Sequence, residues 1–322
     1  MTVVFVTGAA GFLGANAVRR LAHDGHDVHG TVRLESDRWR LEGADVQLHD
    51  VDLSDAAAVT RVVRDVAPRW VFHIAARGAY SWQRRDDEIV RANVVGTLNV
   101  LSAAADVGFD AFVCAGSSSE YGPKPRPATE TDEPSPRTTY ALTKAFSTQY
   151  CQLVARDRSL PVRVLRLYSV YGPYEDPRRL MPRLLVSASH GTLPPLVSPK
   201  ASHDFVYVDD VFEAFVAAAR ATDIEPGAVF NIGSGAQTPL ESLVSLVRAT
   251  FGVDAAPRWG SMPDRPWDTD VWCADVDKAA RELAWEPRTS LRDGLLRFAT
   301  WLGSEPGIVS RYASASEFQR RQ

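Results

Sequence analysis

Short apolar runs alternate with longer amphipathic segments along the first half of the chain. The apolar runs are rich in Val, Ile and Phe, and they predict β-strands at 3–7, 27–32, 44–52, 70–76, 110–116 and 162–168. The segments between them predict helices at 12–25, 55–66, 86–107 and 138–157. Strands that are apolar throughout are buried on both faces, and parallel neighbours need helical crossovers. The pattern therefore predicts an α/β fold with a doubly wound parallel sheet.

The alternation loosens after Tyr171, where prolines become frequent. Helical patterns remain near 178–190 and 208–221, and an apolar strand at 228–233 is expected to rejoin the large sheet. Further helices are predicted near 238–251, 275–284 and 290–302. The polar residues 303–322 predict a surface tail. The second half therefore has the pattern of a smaller, loop-rich C-terminal lobe.

Composition and charge restrict the classes of partner. The chain has 322 residues, of which 45% are hydrophobic, and this is enough for a sizeable core. A formal net charge of −4 gives no basic field of the kind that holds nucleic acid or an anionic membrane. We therefore expect no nucleic acid and no membrane as partner, and favour a small polar substrate.

The cysteines, Cys114, Cys151 and Cys273, are odd in number and widely spaced. This pattern indicates neither a disulfide framework nor a metal site. No run of about 18 apolar residues occurs, and Met1 is followed by a strand pattern instead of a signal sequence. These features predict a cytoplasmic protein without a bound metal.

The sequence TGAAGFLG places Gly8, Gly11 and Gly14 where the first strand turns into the first helix, which begins with Phe12 and Leu13. Glycines at this turn let the backbone approach a pyrophosphate, and the helix N-terminus attracts the anion. The turn therefore predicts a dinucleotide site of the Rossmann type. The alternative is a tight turn that holds no ligand.

Two later strand ends add candidate cofactor contacts. In HDVDLSD, Asp52 is expected to accept a hydrogen bond from an adenine amino group, with Leu53 beside it. In HIAA, the small Ala75 and Ala76 leave room for the dinucleotide. The alternatives are a helix N-cap near Ser54 and close packing of a helix on the alanines.

These motifs divide the chain into two predicted parts. Residues 1–170, joined by roughly 208–233, are assigned to a dinucleotide-binding domain. Residues 171–207 and 234–322 are assigned to a substrate-binding lobe.

Tyr140 and Lys144 in YALTK lie four residues apart in a predicted helix, so both project from one face. A nearby ammonium group favours phenolate over phenol, which makes a tyrosine usable as a general acid or base. The loop GSSSEYG follows the fifth strand, and a hydroxyl there is suited to polarise the same carbonyl or alcohol. The alternative is a chance spacing of Tyr and Lys on a helix.

Six motifs in this order resemble those of the extended short-chain dehydrogenase/reductases. They are TGAAGFLG, GSSSEYG, YALTK, RLYSVYGP, HDFVYVDD and NIGSG, between positions 7 and 235. The chain resembles more narrowly the branch acting on nucleotide-diphosphate sugars, with its epimerases, dehydratases and 4-ketoreductases. This resemblance implies an NAD(P)-dependent enzyme in which Tyr140 is the catalytic acid/base. It also implies that Lys144 holds the nicotinamide ribose and that Ser117 is the hydroxyl partner.

The residues after Ser117 bear on the reaction. Dehydratases of this branch usually carry Asp and Glu there, whereas this chain has Ser118 and Ser119, which cannot act as carboxylic acids. Glu120 could replace them only if the loop shifted its register. Reductases that also epimerise a keto-sugar place a cysteine where Ser119 stands. Dehydration and that combined activity are therefore disfavoured.

Arg33 lies where NAD-binding enzymes place Asp or Glu, roughly 20 residues after the glycines. An arginine there can pair with a 2′-phosphate in fork geometry, so the sequence predicts a preference for NADP, with NAD as the other possibility. Arg38 and Arg40 are candidates to assist. The alternative is a solvated arginine beside Glu35 and Asp37.

A net reductase draws on the reduced cofactor pool, while an epimerase recycles a tightly held cofactor. The leading hypothesis is therefore hydride transfer from NADPH to the 4-keto group of a nucleotide-diphosphate sugar, with Tyr140 as general acid. The first alternative is a nucleotide-sugar epimerase or dehydratase that retains NAD. Others are a reductase of flavonoid-like ketones and a cofactor-sensing protein, although a sensor has no need of Tyr140 and Lys144 together.

The substrate end departs from the family pattern at two positions. Ser169 stands where the family has Asn, and His203 where it commonly has Arg. The resemblance implies that Arg265 in DRPWDTD binds the diphosphate. Three more arginines could replace the missing contacts, unless they belong to a solvated helix face: Arg178, Arg179 and Arg183.

Other substrate contacts are expected around the sugar. The resemblance implies that Trp82, with Tyr80, lies where the sugar enters, and that Ser118 contacts the substrate. The alternative for the aromatic residues is closure of the domain interface. The resemblance implies that the helices at 86–107 and 138–157 pair across a two-fold axis, as in dimers of this family, which predicts a homodimer. The alternative is packing of these helices within one chain.

Overall fold

The computed structural model describes residues 1–262, 271–304 and 306–318. The strands are β1 (Val3–Thr7), β2 (Asp27–Val32), β3 (Gln47–Asp50), β4 (Trp70–His73), β5 (Ala111–Ser117), β6 (Val162–Leu167), β7 (Ser169–Tyr171), β8 (Ser202–Tyr207), β9 (Ala228–Ile232) and β10 (Gln237–Pro239). The helices are α1 (Phe12–His23), α2 (Ala56–Val66), α3 (Asp86–Val90), α4 (Gly96–Val107), α5 (Thr139–Arg158), α6 (Leu180–Ser189), α7 (Val208–Arg220), α8 (Leu240–Phe251), α9 (Asp277–Leu283), α10 (Leu291–Gly303) and α11 (Pro306–Phe318).

The large sheet has seven parallel strands in the order β3-β2-β1-β4-β5-β6-β9. At its centre, Val4 of β1 lies opposite Val28 of β2 and Trp70 of β4. The direction of strand order reverses between β1 and β4: β2 and β3 extend the sheet on one side of β1, and β4, β5, β6 and β9 extend it on the other. Ligands of open α/β sheets bind at such a reversal point. The predicted doubly wound Rossmann sheet is confirmed.

Successive residues of β1 point to opposite faces of the sheet and enter different cores. Val4 and Val6 pack in the core covered by α1 and α7, with Val18 of α1. Phe5 lies in the core covered by α2, α4 and α5, with Leu101 of α4. The near-continuous apolar strands of the sequence are explained by this double coverage.

A second sheet in the order β10-β8-β7 was not predicted. β7 and β8 are parallel, β8 and β10 are antiparallel, and the short β7 and β10 give almost no periodic signal. This sheet shares a separate core with α6, α8 and α10, which contains Tyr171, Phe205 and Phe298. The second lobe is therefore more regular than the prolines indicate.

Three predicted elements differ from the structure by more than two residues at an end or by a break in the interior. The strand expected at 44–52 is limited to β3, and the strand expected at 70–76 ends with β4, so residues 74–76 are free to line a cleft. The helix expected at 86–107 is interrupted by a π-helical turn at Arg91–Val95. Such turns widen a helix locally and often accompany functional sites.

The prediction of a surface tail at 303–322 is wrong for the described residues 306–318, which form α11. Tyr312 is fully buried, and its hydroxyl donates a hydrogen bond of 2.6 Å to the carbonyl oxygen of Glu175. Its ring packs edge-on against Trp39 and Trp301. The few apolar positions of this segment give too little periodicity to predict the helix from the sequence.

Within the described part of the chain, none of the helices combines the length and apolar character that crossing a bilayer requires.

Substituting Tyr312 by alanine should reduce the free energy of unfolding by about 3–5 kcal/mol, the range for removing a buried aromatic side chain. Tyr312→Phe keeps the ring and loses only the hydrogen bond to Glu175, so it should cost about 1 kcal/mol. Urea titration measures both, with Ser314→Ala on the exposed side of α11 as the control. Equal stability of Tyr312→Ala and the control would show that α11 does not pack as described.

Candidate functional site

A cleft of about 1270 Å³ opens at the carboxyl ends of β1, β2, β4, β5 and β6 and is walled on its other side by the second lobe. Most of the described residues that the sequence singled out for a cofactor, catalytic or substrate role line it. The cofactor candidates there are Gly8, Gly11, Phe12, Leu13, Gly14, Arg33, Asp52, Leu53, Ala75 and Ala76. The catalytic and substrate candidates there are Ser117, Ser118, Tyr140, Lys144, Trp82, Ser169, Arg183 and His203. Arg265 lies outside the described residues.

The glycine turn leaves no room for side chains. Gly8 has φ +69°, and a Cβ placed on it would lie 2.8 Å from Cα of Ala75. A Cβ on Gly14 would fall on the carbonyl oxygen of Gly8. The first turn of α1 contains no acidic residue, and Gly11 caps the helix without a side-chain hydrogen bond. Its amide groups therefore suit an anion, and the turn fits the pyrophosphate of a dinucleotide.

A buried polar network begins below this turn. The Thr7 hydroxyl oxygen accepts hydrogen bonds of 3.1 Å from the amides of Ile74 and Ala75, and it lies 2.9 Å from Nδ1 of His73. The other ring nitrogen of His73 lies 3.0 Å from the hydroxyl of Thr97. Burial, reinforced by the positive charge of Lys144, lowers the pKa of His73 to about 3. A neutral histidine therefore holds β4 and its following loop against the glycine turn.

Asn93, in the π-helical turn, continues this network. Its side-chain amide donates to the Thr143 hydroxyl at 2.9 Å and to the Arg77 carbonyl at 2.8 Å, and its oxygen accepts from the Arg77 amide. The Ser147 hydroxyl donates to the Asn93 carbonyl. α5 is thereby fixed to the loop after β4. Sequence reasoning missed Asn93, whose signal was a polar amide within an otherwise apolar helical pattern.

Tyr140 and Lys144 both project from α5 into the cleft. The Thr138 hydroxyl caps this helix by accepting a bond of 3.1 Å from the Ala141 amide, which places Tyr140 in the first turn. Lys144 is only 3% exposed, and its ammonium donates to the carbonyl of Ala115 on β5 at 2.9 Å. Tyr140 is half-buried. This geometry presents a phenol and an ammonium from one helix face beside the end of β5.

β5 ends at Ser117, which caps a short 3₁₀ turn over Ser118–Tyr121. Its hydroxyl lies 2.8 Å from the Ser119 hydroxyl and accepts a weak bond of 3.2 Å from the Ser119 amide. Glu120 is fully buried and is bonded to the Ser117 amide and to Arg166. It is committed to these partners, so the cleft receives hydroxyl groups and no carboxylic acid from this turn.

Arg33 lies at the rim of the cleft with half of its side chain exposed, 3.4 Å from the carboxylate of Glu35. Arg38 forms an ion pair with Asp50 outside the cleft lining. Arg40 lines the cleft, and its Nε donates to the Tyr174 carbonyl at 2.8 Å. Arg33 thus lines the cleft, as the NADP interpretation needs, and it also has the solvated partner of the alternative interpretation.

Asp52 lines the cleft, and its carboxylate accepts bonds of 2.9 and 2.8 Å from the amide and hydroxyl of Ser54. The backbone bond lowers its pKa, so the group is a carboxylate near neutral pH. The N-cap of α2 is Asp55, which accepts from the Ala58 amide. Asp52 is therefore not the cap of that helix.

The substrate end contains paired charges. The guanidinium of Arg178 forms two hydrogen bonds with Asp176, and Arg179 lies 3.4 Å from the carboxylate of Glu175, so both arginines are partly neutralised. Burial raises the pKa of Glu175 to about 8. One guanidinium nitrogen of Arg183 approaches the Met262 sulfur at 3.6 Å.

Two further contacts define this end of the cleft. The Ser169 hydroxyl lies 3.3 Å from Nδ1 of His203, so the two departures from the family pattern contact each other. Trp82 stacks on Tyr80 with ring centres 4.8 Å apart, and the guanidinium of Arg178 lies 3.6 Å above the Trp82 ring. The aromatic pair thus contacts the second lobe as well as the cleft.

Comparison with known proteins identifies the family of the chain. The model of the NAD dependent epimerase/dehydratase family matches residues 4–233. The UDP-glucose 4-epimerase of Mycolicibacterium smegmatis is 29% identical, over 91% of this chain and 96% of that protein.

Solved structures extend the likeness to the whole fold. The UDP-glucose 4-epimerase of Thermotoga maritima with UDP-glucose has a TM-score of 0.84 and 27% identity, over 93% of this chain and 98% of that one. The Thermus thermophilus UDP-glucose 4-epimerase complex with NAD has a TM-score of 0.83 and 28% identity, over 94% and 99%. The chain belongs to the NAD-dependent epimerase/dehydratase family and is an NAD(P)-dependent enzyme of nucleotide-sugar chemistry.

Proposed function

We propose that the protein is a nucleotide-diphosphate-sugar 4-epimerase that retains NAD between turnovers. The observation that carries this proposal is the convergence of Tyr140, Lys144 and Ser117 on a cleft whose glycine turn fits a dinucleotide. The 4-epimerases among the similar structures support it over the 4-keto reduction that the sequence favoured.

The residues have distinct roles in this proposal. A bound nicotinamide dinucleotide supplies the hydride acceptor and donor. Tyr140 takes the proton of the sugar C4 hydroxyl and returns it to the same oxygen, so the proton balance closes within one turnover. The Ser117 hydroxyl donates to that oxygen and stabilises its developing charge. Lys144, held by Ala115, keeps a positive charge near Tyr140 and holds the nicotinamide ribose.

The cofactor is held mainly by backbone and small side chains. The turn of Gly8, Gly11 and Gly14 takes the pyrophosphate, and Asp52 accepts from the adenine amino group. The remaining cofactor candidates, which supply apolar walls along the cleft, are Phe12, Leu13, Leu53, Ala75 and Ala76.

The sugar diphosphate lies toward the second lobe in this proposal. Ser118 and Trp82 contact the sugar, while His203 and Ser169 act as a hydrogen-bonded pair toward the diphosphate. Arg183 supplies positive charge on the cleft wall, and Arg265 is assigned to the diphosphate by family resemblance alone.

A second candidate function is NADPH-dependent reduction of a 4-keto nucleotide sugar. The position of Arg33 at the cleft rim favours it, because a guanidinium there can pair with a 2′-phosphate. The similar Thermus thermophilus structure holds NAD, which supports the epimerase instead.

We also propose a homodimer formed through α5. Leu142, Phe146 and Leu153 follow one face of this helix and are 59%, 41% and 58% exposed. Large apolar side chains in one row favour burial against a partner, and a two-fold interface would place equal faces together. The three cysteines are free and buried, which supports the cytoplasm as the compartment.

The purified protein should convert UDP-glucose, UDP-glucuronate or UDP-N-acetylglucosamine into its 4-epimer without added reduced cofactor, as followed by proton NMR. Tyr140→Phe should lower kcat by about 10²–10⁴ because the acid/base group is lost. Tyr150→Phe, on the same helix but outside the cleft lining, is the matched control. Consumption of NADPH with a 4-keto nucleotide sugar, and no 4-epimer from any of the three, would replace this proposal by the reductase.

Arg33→Ala should weaken NADPH binding by about tenfold or more if the guanidinium holds a 2′-phosphate, since a bond to a charged group contributes about 1.5–3 kcal/mol. NAD binding should stay unchanged. Fluorescence titration of the two reduced cofactors measures this, with Arg38→Ala as control because Arg38 pairs with Asp50. Unchanged NADPH affinity in Arg33→Ala would remove the basis of the reductase alternative.

Leu153→Glu should convert the dimer into a monomer, because a carboxylate buried in an apolar interface has no partner. Light scattering after gel filtration gives the mass. Leu296→Glu on α10, also an exposed leucine, should leave the mass unchanged. A monomeric wild-type protein would contradict the proposed dimer.

A further inference from the structure

The short 3₁₀ turn Ser118–Tyr121 with its cap Ser117, which we call the serine turn, contains one partner of a buried ion pair, Glu120. Nε of Arg166 donates to Oε2 of Glu120 at 2.9 Å, and the two side chains are 4% and 0% exposed. Moving two charges from water into the protein interior costs free energy, and apolar residues of similar volume often make a fold equally stable. Stability alone therefore does not explain this ion pair.

The two carboxylate oxygens of Glu120 have different partners. Oε1 accepts a bond of 2.8 Å from the Ser117 amide, and Oε2 accepts from Arg166. The strand leaves room for this arrangement at Gly116, because a Cβ there would lie 2.9 Å from Oε1 of Glu120. Glu120 therefore connects the backbone of Ser117 to a fixed cation.

Arg166 is itself held in place. Its guanidinium lies over the Tyr121 ring, 4.4 Å from the ring centre, and the Tyr121 hydroxyl donates to the side-chain oxygen of Asn231 at 2.7 Å. Asn231 on β9 also donates to the Ala128 carbonyl. The chain of contacts thus fixes the serine turn to β6 and β9, which are strands of the large sheet.

These contacts restrict the hydrogen bonds that the Ser117 hydroxyl can form. A hydroxyl has one donor and two acceptor positions. With the Ser117 backbone fixed by Glu120, its oxygen lies 3.2 Å from the Ser119 amide and 2.8 Å from the Ser119 hydroxyl. When both of these donate, the Ser117 proton is directed to a further acceptor, and Ser117 lines the cleft.

We propose that Glu120, held by Arg166, is the positioning residue that aims the Ser117 hydroxyl at the reacting sugar oxygen. This rests on the proposed function, because the sugar oxygen is the acceptor there. Glu120 acts through the Ser117 amide and touches no substrate.

The test compares Glu120→Gln in two backgrounds. Glutamine preserves the shape of the side chain and removes the charge that Arg166 holds. In the wild-type background kcat should fall by about ten- to hundredfold, the cost of a misplaced catalytic group, while KM and dinucleotide affinity stay within about twofold. In the Ser117→Ala background the same substitution should lower kcat little, because the hydroxyl that it positions is gone.

Two controls separate positioning from a general loss of structure. Asp210→Asn removes another buried carboxylate, one that accepts from the Thr289 amide and lies outside the cleft lining, and it should leave kcat unchanged. If Glu120→Gln does not fold, Arg166→Lys keeps the positive charge but loses the planar guanidinium, and it should reproduce the fall in kcat. An equal fall in both Ser117 backgrounds, or a joint change of kcat, KM and cofactor affinity, would overturn the proposal.

A turnover-independent measurement keeps this inference distinct from the proposed function. Amide hydrogen exchange at Ser117 and Ser119 should be faster in Glu120→Gln than in the wild type, with the exchange of β1 unchanged. If the wild type epimerises no nucleotide sugar, the proposed function fails, and the exchange rates still decide the positioning claim. Unchanged exchange at Ser117 would overturn it.

Discussion

The arrangement of the cleft depends on one buried ammonium group. Lys144 is almost fully removed from water, and the carbonyl of Ala115 is its hydrogen-bond acceptor within the protein. A charge in this environment is costly unless it is bonded, so the contact holds α5 tightly against β5. Tyr140 and Ser117 lie on those two elements, and their meeting in the cleft follows from this contact. The other ammonium hydrogens suit the hydroxyls of a bound ribose.

A second constraint joins the chemistry to the glycine turn. Asn93 fixes α5 to the loop after β4, and His73 fixes β4 to Thr7 at the start of that turn. Buried polar groups in such networks rigidify a structure when all of them are bonded. The glycine turn and α5 are therefore held together as one rigid unit. Glu120 and Arg166 separately fix the serine turn to the large sheet.

Local patterns in the sequence were sufficient for the large sheet and much of the cleft. Gly8, Tyr140 and Lys144 are recognisable because their roles follow from spacing within one turn. The structural roles of Asn93, Glu120 and Tyr312 cannot be read from local patterns, since important partners lie far away in sequence, such as Arg166 for Glu120. The strands β7 and β10 have three residues each, which is too few to show a periodic pattern of apolar positions. The choice between NAD and NADP rested on Arg33 alone, and the relatives favour NAD.

The proposed function requires that the Tyr140 hydroxyl acts on a sugar oxygen beside a dinucleotide bound on the Gly8 turn. A crystal structure of the complex with NAD and a UDP-sugar would show whether it does. We expect the Tyr140 hydroxyl at hydrogen-bond distance from the sugar C4 oxygen, and nicotinamide C4 about 3–3.5 Å from sugar C4. A tyrosine turned away from the sugar, or a dinucleotide bound elsewhere, would contradict it.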